Sequence, residues 1–566
     1  MPSLTRKTIK GRPYYYLRYT QRVNGVSKVV KTTYLGSLDK ILPRLLGQEA
    51  PPQPQAVEVL DFGEVAALFD VAAQLELVSL IDEHLPKRHQ GLSSGQYLLL
   101  AAINRAAAPT SKTQLAHWHQ QSVLSRLLPA APGSLSSQSF WNHFHDLTEA
   151  QIAAIERSLS QRLIERFKLS LRTLVYDGTN FFSYINTRNP SQLPARGHNK
   201  QKRADLRQVS LGMLVSTDFH VPLFHKVYAG NVHDATQFQT ITAELRTRYS
   251  ELARHCEHIT LVFDKGNNSD GAFEELDLSR FHFVGSLVAS QHAEVLKIPL
   301  SQFHQLQGPG LEEVRVYRTK RTVFEVERTV VVTHNRNLLE GQLQGLTANL
   351  TKTRAKLRQL QGRLRRWQEG KTKRGKPPQL ASVRTQVEKL LGAQFMKKLI
   401  RYQLKGKRIP SLRFQTDAAA LARLMATELG KTILFTDNSD WTDQEIVLGY
   451  RSQWQIEQAF RQMKNPHFLG WSPMYHWTDN MIRVHAFYCV LALTLASLLQ
   501  RTLHQKQLEA SIPHLLETLG EIKETVVIYP PATRGGKART AVCLSQQSAE
   551  QKRLVAALGL DRYKAS

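Results

Sequence analysis

Cysteine is nearly absent, with three residues in 566. Cys256, Cys489 and Cys543 stand far apart, with no CxxC pair and no Cys/His cluster, which excludes a disulfide framework and a zinc ribbon. A reducing, intracellular compartment fits this usage. Long hydrophobic runs are lacking too. The longest, 487–499, ends at Gln500-Arg501 and falls short of the roughly 20 residues of a membrane span, so it reads as a buried helix and no membrane partner is expected. The first 22 residues are basic and tyrosine-rich, with no apolar core or small-residue cleavage site, unlike a signal peptide. Acid is the scarcer sign of charge: 47 Asp and Glu against 75 Lys and Arg give a formal net charge of +28. Such a surplus attracts polyanions and points to a nucleic acid partner. Apolar residues (42%) and charged residues (22%) are at globular levels, which excludes overall disorder. At about 150 residues per domain the length asks for three or four folded units.

Aromatic and β-branched residues flank Asn24-Gly25 between Tyr14 and Gly36, predicting a basic β-hairpin. After a loop with Pro51, Pro52 and Pro54, helical periodicity runs to about Leu169, predicting an all-helical domain. Within it, Ile103–Gln120 reads as two helices joined at Pro109-Thr110, compatible equally with a DNA-binding helix pair and with an ordinary bundle. From Leu171 the pattern changes to strands at 174–178, 208–216, 222–230 and 259–266, with a helix before the last. The order β, β, β, α, β suits a ribonuclease-H-like sheet. Between about Asp270 and Asp440 come two strand-rich stretches, 281–290 and 314–334, and then a basic segment. Its residues 352–376 hold eleven Lys and Arg against one Glu, with Leu357, Leu360, Leu364 and Trp367 at helical spacing. That many like charges suit an arm facing phosphates.

Three acids stand out by position. Asp177 and Asp264 each end a buried strand, where side chains face a crevice. Carboxylates brought together repel unless a cation neutralises them, which makes such a pair a natural site for magnesium. Glu457 lies on a helix expected from the capping box Thr442-Asp443-Gln444-Glu445 to about Lys464. Tyr450, Trp454, Glu457, Arg461 and Lys464 make one stripe along it. Two metal ions on shared carboxylates would serve phosphodiester displacement, with Lys464 on a phosphate. Asp234 and Asp270 compete for the second position, and Asp264 is preferred because its strand is unbroken. Trp441 and Trp454 are expected in the core.

The run YRSQWQIEQAFRQMK resembles the Y-x2-R-x3-E-x6-K signature of bacterial insertion-sequence transposases of the DDE class. Tyr450, Glu457 and Lys464 hold the family's places, and Gln453 stands at the arginine place, with Arg451 two residues earlier. The resemblance extends to YYYLRY and YLG, INRAAAPTSK, GHNKQKRADLRQ, AGNVHD and PMYHWTDNMIRVHAF. It implies an α/β, ribonuclease-H-like catalytic core, a mixed sheet with flanking helices, interrupted by a mainly β insertion domain. It also implies recognition of terminal inverted repeats, magnesium-dependent cleavage (manganese substituting) and joining of 3′-hydroxyls to target DNA. Asp177, Asp264 and Glu457 would be the catalytic metal ligands, and Tyr450, Arg451, Arg461 and Lys464 the DNA contacts. The partner would be double-stranded DNA, the working unit a homodimer in the synaptic complex, and the location cytoplasmic and nucleoid-associated. The expected division is 1–50, basic hairpin region; 55–170, helical DNA-binding domain; 171–269, first part of the core; 270–440, insertion with a basic helical arm over 338–400; 441–510, second part of the core; and 511–566, basic tail region.

Overall fold

The computed structural model describes residues 2–23, 26–46, 53–86, 91–199, 201–252, 256, 258–372, 375–406, 408–531 and 536–565. It divides into two compact units, one of Met1–Leu60, Lys523–Gln546 and Lys564–Ser566, the other of Asp61–Ile522 and Gln547–Tyr563.

In the first unit β1 (Pro2–Ile9), β2 (Arg12–Val23) and β3 (Val26–Gly36) form an antiparallel sheet in chain order. The β2/β3 hairpin matches the sequence pattern, and β1 is an addition to it. The expected Asn24-Gly25 turn, like Pro51 and Pro52, lies outside the described residues. Tyr16 and Tyr34 meet with ring centroids 5.1 Å apart, and Lys7 Nζ sits 5.6 Å from the Tyr16 centroid. Residues from 55, expected to open the helical domain, instead form β4 (Ala56–Asp61), because AVEVLD alternates with the period of a strand.

The second unit begins with helices from Gly63–Gln74 to Glu149–Phe167. Ser94–Ala107 and Lys112–Gln120 are the expected pair. The second of them buries Lys112, Leu115, Trp118 and His119 and exposes Thr113, Gln114, His117 and Gln120. Its solvent face thus carries no Lys or Arg.

Then β5 (Thr173–Ser183), β6 (Arg207–Ser216), β7 (Pro222–Ala229), β8 (Thr260–Val262) and β9 (His282–Ser286) lie in the order β7-β6-β5-β8-β9. The first three pair antiparallel, β8 runs parallel to β5 and β9 parallel to β8. The helix Asp234–Leu252 stands between β7 and β8 in the chain, as the spacing predicts. The chain continues with β10 (His304–Gln305), β11 (Val314–Val323), β12 (Val326–Asn335), β13 (Ile400–Lys405), β14 (Ser411–Thr416) and β15 (Lys431–Thr436).

Here the expected insertion is corrected. β15 pairs with the outer edge of β9, and β12, β11 and β10 follow, so one nine-stranded mixed sheet results. An open edge of unpaired N–H and C=O groups accepts further strands, and the strand-rich part of 270–440 completes the sheet instead of building a domain of its own. What does stand apart is helical. Arg336–Gln368 and Leu380–Leu390 pack Leu357, Leu360, Leu364, Val383 and Val387 into a separate apolar cluster with the β13/β14 hairpin, leaving the basic side chains outward.

The helix Asp479–Gln505 is long and apolar enough to cross a membrane, but 94% of its most apolar stretch is buried inside the protein. It packs against Gly63–Gln74, Ser94–Ala107 and β7, joining the helical layer to the sheet. The expected C-terminal tail is structured too. Ile512–Gly520 and Ala549–Leu558 bury leucines in the second unit, while β16 (Lys523–Tyr529) and β17 (Arg539–Leu544) form a three-stranded sheet with β4 in the first.

Candidate active site

Alternation along β5 sorts the acids by face. On the even face, Tyr176 packs on Phe238 of the Asp234–Leu252 helix, and a Cβ at Gly178 would lie 2.7 Å from Tyr228 Oη and 3.4 Å from Asp234. On the odd face, Thr179 Oγ1 lies 2.5 Å from Lys464 Nζ, which also sits 5.5 Å from the Phe181 centroid. Asp177 shares the odd face and accepts the Gly178 N–H through Oδ1 at 2.8 Å. Asp234, bonded by Tyr228 Oη at 3.1 Å, belongs to the opposite layer. So does Asp270, whose helix packs on Asp234–Leu252 where Gly271 meets Gln239.

β5 runs on to Ser183, so Asp177 lies within its strand and not at the end expected from the sequence, whereas Asp264 does follow β8, whose Val262 pairs in parallel with Val175. Ser286 Oγ, at the end of β9, donates to Asp264 Oδ1 at 3.1 Å and accepts the Lys265 N–H at 3.2 Å. Tyr450 Oη lies 3.2 Å from the same Oδ1 and 2.9 Å from Ser286 Oγ. Burial pushes the Tyr450 hydroxyl up, the Ser286 contact opposes this, and the charges of Asp264 and Asp177 add to the rise. The phenol therefore stays protonated as a donor at neutral pH, and both aspartates act on it.

The helix bearing the third acid is not continuous. It divides into Asp443–Arg451, opened by the expected Thr442/Glu445 capping box, and Trp454–Met463. Short i to i+3 bonds tighten the join, among them Gln453 N–H to Tyr450 O at 3.2 Å and Gln455 N–H to Ser452 O at 2.9 Å. The second helix packs on β5 and β6, burying Ile456, Ala459, Phe460 and Met463. Trp454, Glu457, Arg461 and Lys464 form its exposed face. Trp454 is 53% exposed, so the expected core position is wrong for it: the break rotates it outward with the charged stripe. Trp441 is half-buried, its ring against Gly449.

Glu457 and Arg461, four apart, make no ion pair, although Arg336/Glu340 and Arg365/Glu369 pair at that spacing. Glu457 thus keeps an exposed carboxylate between Tyr450, which is tied to Asp264, and Lys464, which is tied to Thr179. Arg451 departs from the stripe. Its guanidinium bonds Gly310 O at 2.5 Å, in the loop before β11.

Asp177, Asp264 and Glu457 offer carboxylate oxygens, the donors a hard divalent ion prefers. Among the described residues no three His, Cys, Asp or Glu side chains stand close enough to hold a metal. The donor chemistry fits magnesium, with the two aspartates on neighbouring strands and Glu457 carried on the adjoining helix. Sequence reasoning missed Ser286 and Thr179, which fix Asp264 and Lys464. It also missed Gln455, which accepts a bond from His220 Nδ1 at 3.2 Å and so seats the helix two residues before Glu457. Ser286 had one signal, its place at a strand end beside β8, hidden by assigning β9 to the insertion.

Residues 171–495, more than half of the chain, match the model of the transposase DDE domain family, and the chain belongs to that family. Among solved structures it is similar to a piggyBac transposase synaptic complex with hairpin DNA, at a TM-score of 0.36 and 9% sequence identity over 80% of this chain and 79% of that one. No curated protein matches it significantly.

Proposed function

We propose that the protein is the transposase of a bacterial insertion sequence, binding terminal inverted repeats, cleaving the DNA ends and joining the 3′-hydroxyls to target DNA. The ribonuclease-H-like reading of the core rests on the strand order β7-β6-β5-β8-β9, antiparallel from β7 to β5 and parallel from β5 through β8 to β9. The observation that carries the reading is the pair of anchors around Glu457: Tyr450 bonded at Asp264, and Lys464 bonded at Thr179 two residues beyond Asp177.

In this reading Asp177, Asp264 and Glu457 would hold two magnesium ions, for which manganese would substitute. When bound, these ions activate the attacking oxygen and stabilise the leaving one. Tyr450 and Ser286 orient Asp264. Lys464 and Arg461, exposed on the same helix face, attract the phosphate next to the scissile bond. Arg451 is not part of this contact set, since its guanidinium is engaged by Gly310 O. The tyrosine-rich β1–β3 sheet and the basic Arg336–Gln368 arm would hold the flanking duplex by charge. Synapsis of two ends implies a homodimer on DNA, in the bacterial cytoplasm beside the nucleoid.

The test is cleavage and strand transfer on labelled DNA carrying the element's own end, with magnesium, for wild type and Glu457→Gln. Cutting and joining by the wild type, reduced at least about 100-fold in the variant while end binding persists, supports the assignment. Binding without chemistry in either protein, with manganese also tried, would make this an inactive DNA-binding relative. Cutting that survives in the variant would remove Glu457 from the site.

A further inference from the structure

A second site lies between the Lys112–Gln120 helix and the start of Asp479–Gln505, in a cavity of about 360 Å³ that the proposed reaction does not use. Two cations line it. Arg105 is 1% exposed and donates to Gly470 O at 3.1 Å and Thr110 O at 3.3 Å, leaving its Nε without a partner. Lys112 is 9% exposed, and its Nζ makes no hydrogen bond and sits 4.1 Å from the Tyr488 ring centroid. Neither has a carboxylate partner among the described residues. Burial, and then the Arg105 charge, hold Lys112 well below its ordinary pKa. Buried positive charge without a counter-ion is costly, and an anion seated between the two cations would relieve that cost.

The mouth of the cavity is aromatic. Trp477 is 64% exposed, Tyr475 68% and Trp141 42%, although large aromatics are normally covered. Cations inside and ring faces at the lip match a phosphate joined to a flat base. A relay of rings links Tyr488 in the cavity wall to β5. Trp471 stacks on Phe181 of β5 at 4.3 Å and meets His485 edge-on at 4.9 Å, and His485 accepts the Tyr488 hydroxyl.

We propose that this cavity takes one unstacked nucleotide of a DNA strand, its phosphate on Lys112 and Arg105 and its base against Trp477 and Tyr475. The inference rests on the DNA-processing reading above for the identity of the strand. It assigns the cavity a role distinct from that of the three acids.

The test uses the full chain and a fluorescein-labelled, 5′-phosphorylated thymidine trinucleotide, followed by anisotropy without divalent metal at physiological ionic strength. Trp477→Ala should weaken binding roughly tenfold, the scale of one lost base stack. Lys112→Met should weaken it at least as much without lowering the melting temperature, because the substitution removes a buried amine that has no hydrogen-bond partner. The unphosphorylated trinucleotide should bind less tightly than the phosphorylated one. Wild-type affinity in both variants would overturn the proposal. Inorganic phosphate competing as well as the trinucleotide would reduce the cavity to an anion site, and thymidine 5′-monophosphate competing as well would make a free nucleotide its ligand; either overturns the strand assignment. Cleavage of the element's end is read in parallel on the same preparations. Cleavage by the wild type with unchanged trinucleotide binding in both variants sinks the cavity proposal alone. Binding lost in both variants, with no cleavage by any of the proteins, sinks the transposition reading alone.

Discussion

The Tyr450 hydroxyl lies 3.2 Å from Asp264 Oδ1 across 186 residues of chain, and both groups meet Ser286 at the end of the neighbouring strand. A carboxylate held by two hydroxyls keeps its orientation, and orientation is what a metal-ligating oxygen needs. Tyr450→Phe removes one hydroxyl and keeps the ring. Single-turnover cleavage should fall about 10- to 100-fold with end binding unchanged. Ser286→Ala should act on the same oxygen, so the double variant should lose less than the sum of the two single losses. Full additivity would show that the two hydroxyls do not share Asp264.

Lys464 and Arg451 should part company in a salt titration. Lys464→Gln removes an exposed cation on the Glu457 face and should lower the slope of log affinity against log salt by about 0.9, the value of one phosphate contact. Arg451→Gln should leave that slope alone, because its guanidinium is spent on Gly310 O. An equal change in both would restore Arg451 to the interface.

Gly178 is fixed by a close approach, not by backbone angle. A methyl group there would stand 2.7 Å from Tyr228 Oη. Gly178→Ala should cost about 1–3 kcal/mol in chemical denaturation. Tyr228→Phe, which removes the obstructing oxygen, should recover part of that loss.

Stability should fall in mild acid. Burial pushes His220 down to about 4, with the Gln455 hydrogen bond opposing, and pushes His476 down to about 3, helped by Lys112 and Arg105. An unfolded histidine titrates near 6.5, so below that pH the unfolded chain binds protons that the native one refuses. The stabilisation is whole above about 6.5 and declines toward pH 4 by about 1.4 kcal/mol per pH unit for each such histidine. Thermal melts from pH 7 to 4.5 should show it. His220→Asn, which tolerates the positive φ of 43° at this position, should flatten the slope.

Much of the core was legible from local pattern. Short apolar runs at 174–178, 208–216 and 222–230, with a polar turn between the second and third, predict β5, β6 and β7, and the spacing before Ile259 leaves room for one helix. Asp177 and Asp264 stood out as acids following short apolar runs; the strand-end reading holds for Asp264, while Asp177 lies within β5 because that strand continues to Ser183. The capping box at Thr442 marked its helix start correctly, since that signal lies within four residues.

Other features had no local signature. The break at Ser452-Gln453 turns Trp454 to solvent, though a continuous helical stripe predicted a core residue. Strands 281–290 and 314–334 read the same whether they fold alone or extend an existing sheet, and only the free edge of β9 decided the matter. The C-terminal segment read as a basic tail, yet Leu515, Leu519 and Leu554 are buried, and the Ile512–Gly520 helix packs on Gly63–Gln74 from the other end of the chain.

The sequence by itself determined most of the core strands, the charge surplus and the candidacy of Asp177 and Asp264, because periodicity acts over a few residues. Tertiary structure alone decided which carboxylates share a face, that Ser286 and Tyr450 meet at Asp264, and that Lys112 and Arg105 are buried together without an acid. Those are contacts between chain segments remote in sequence, and no local spacing encodes the distance between them.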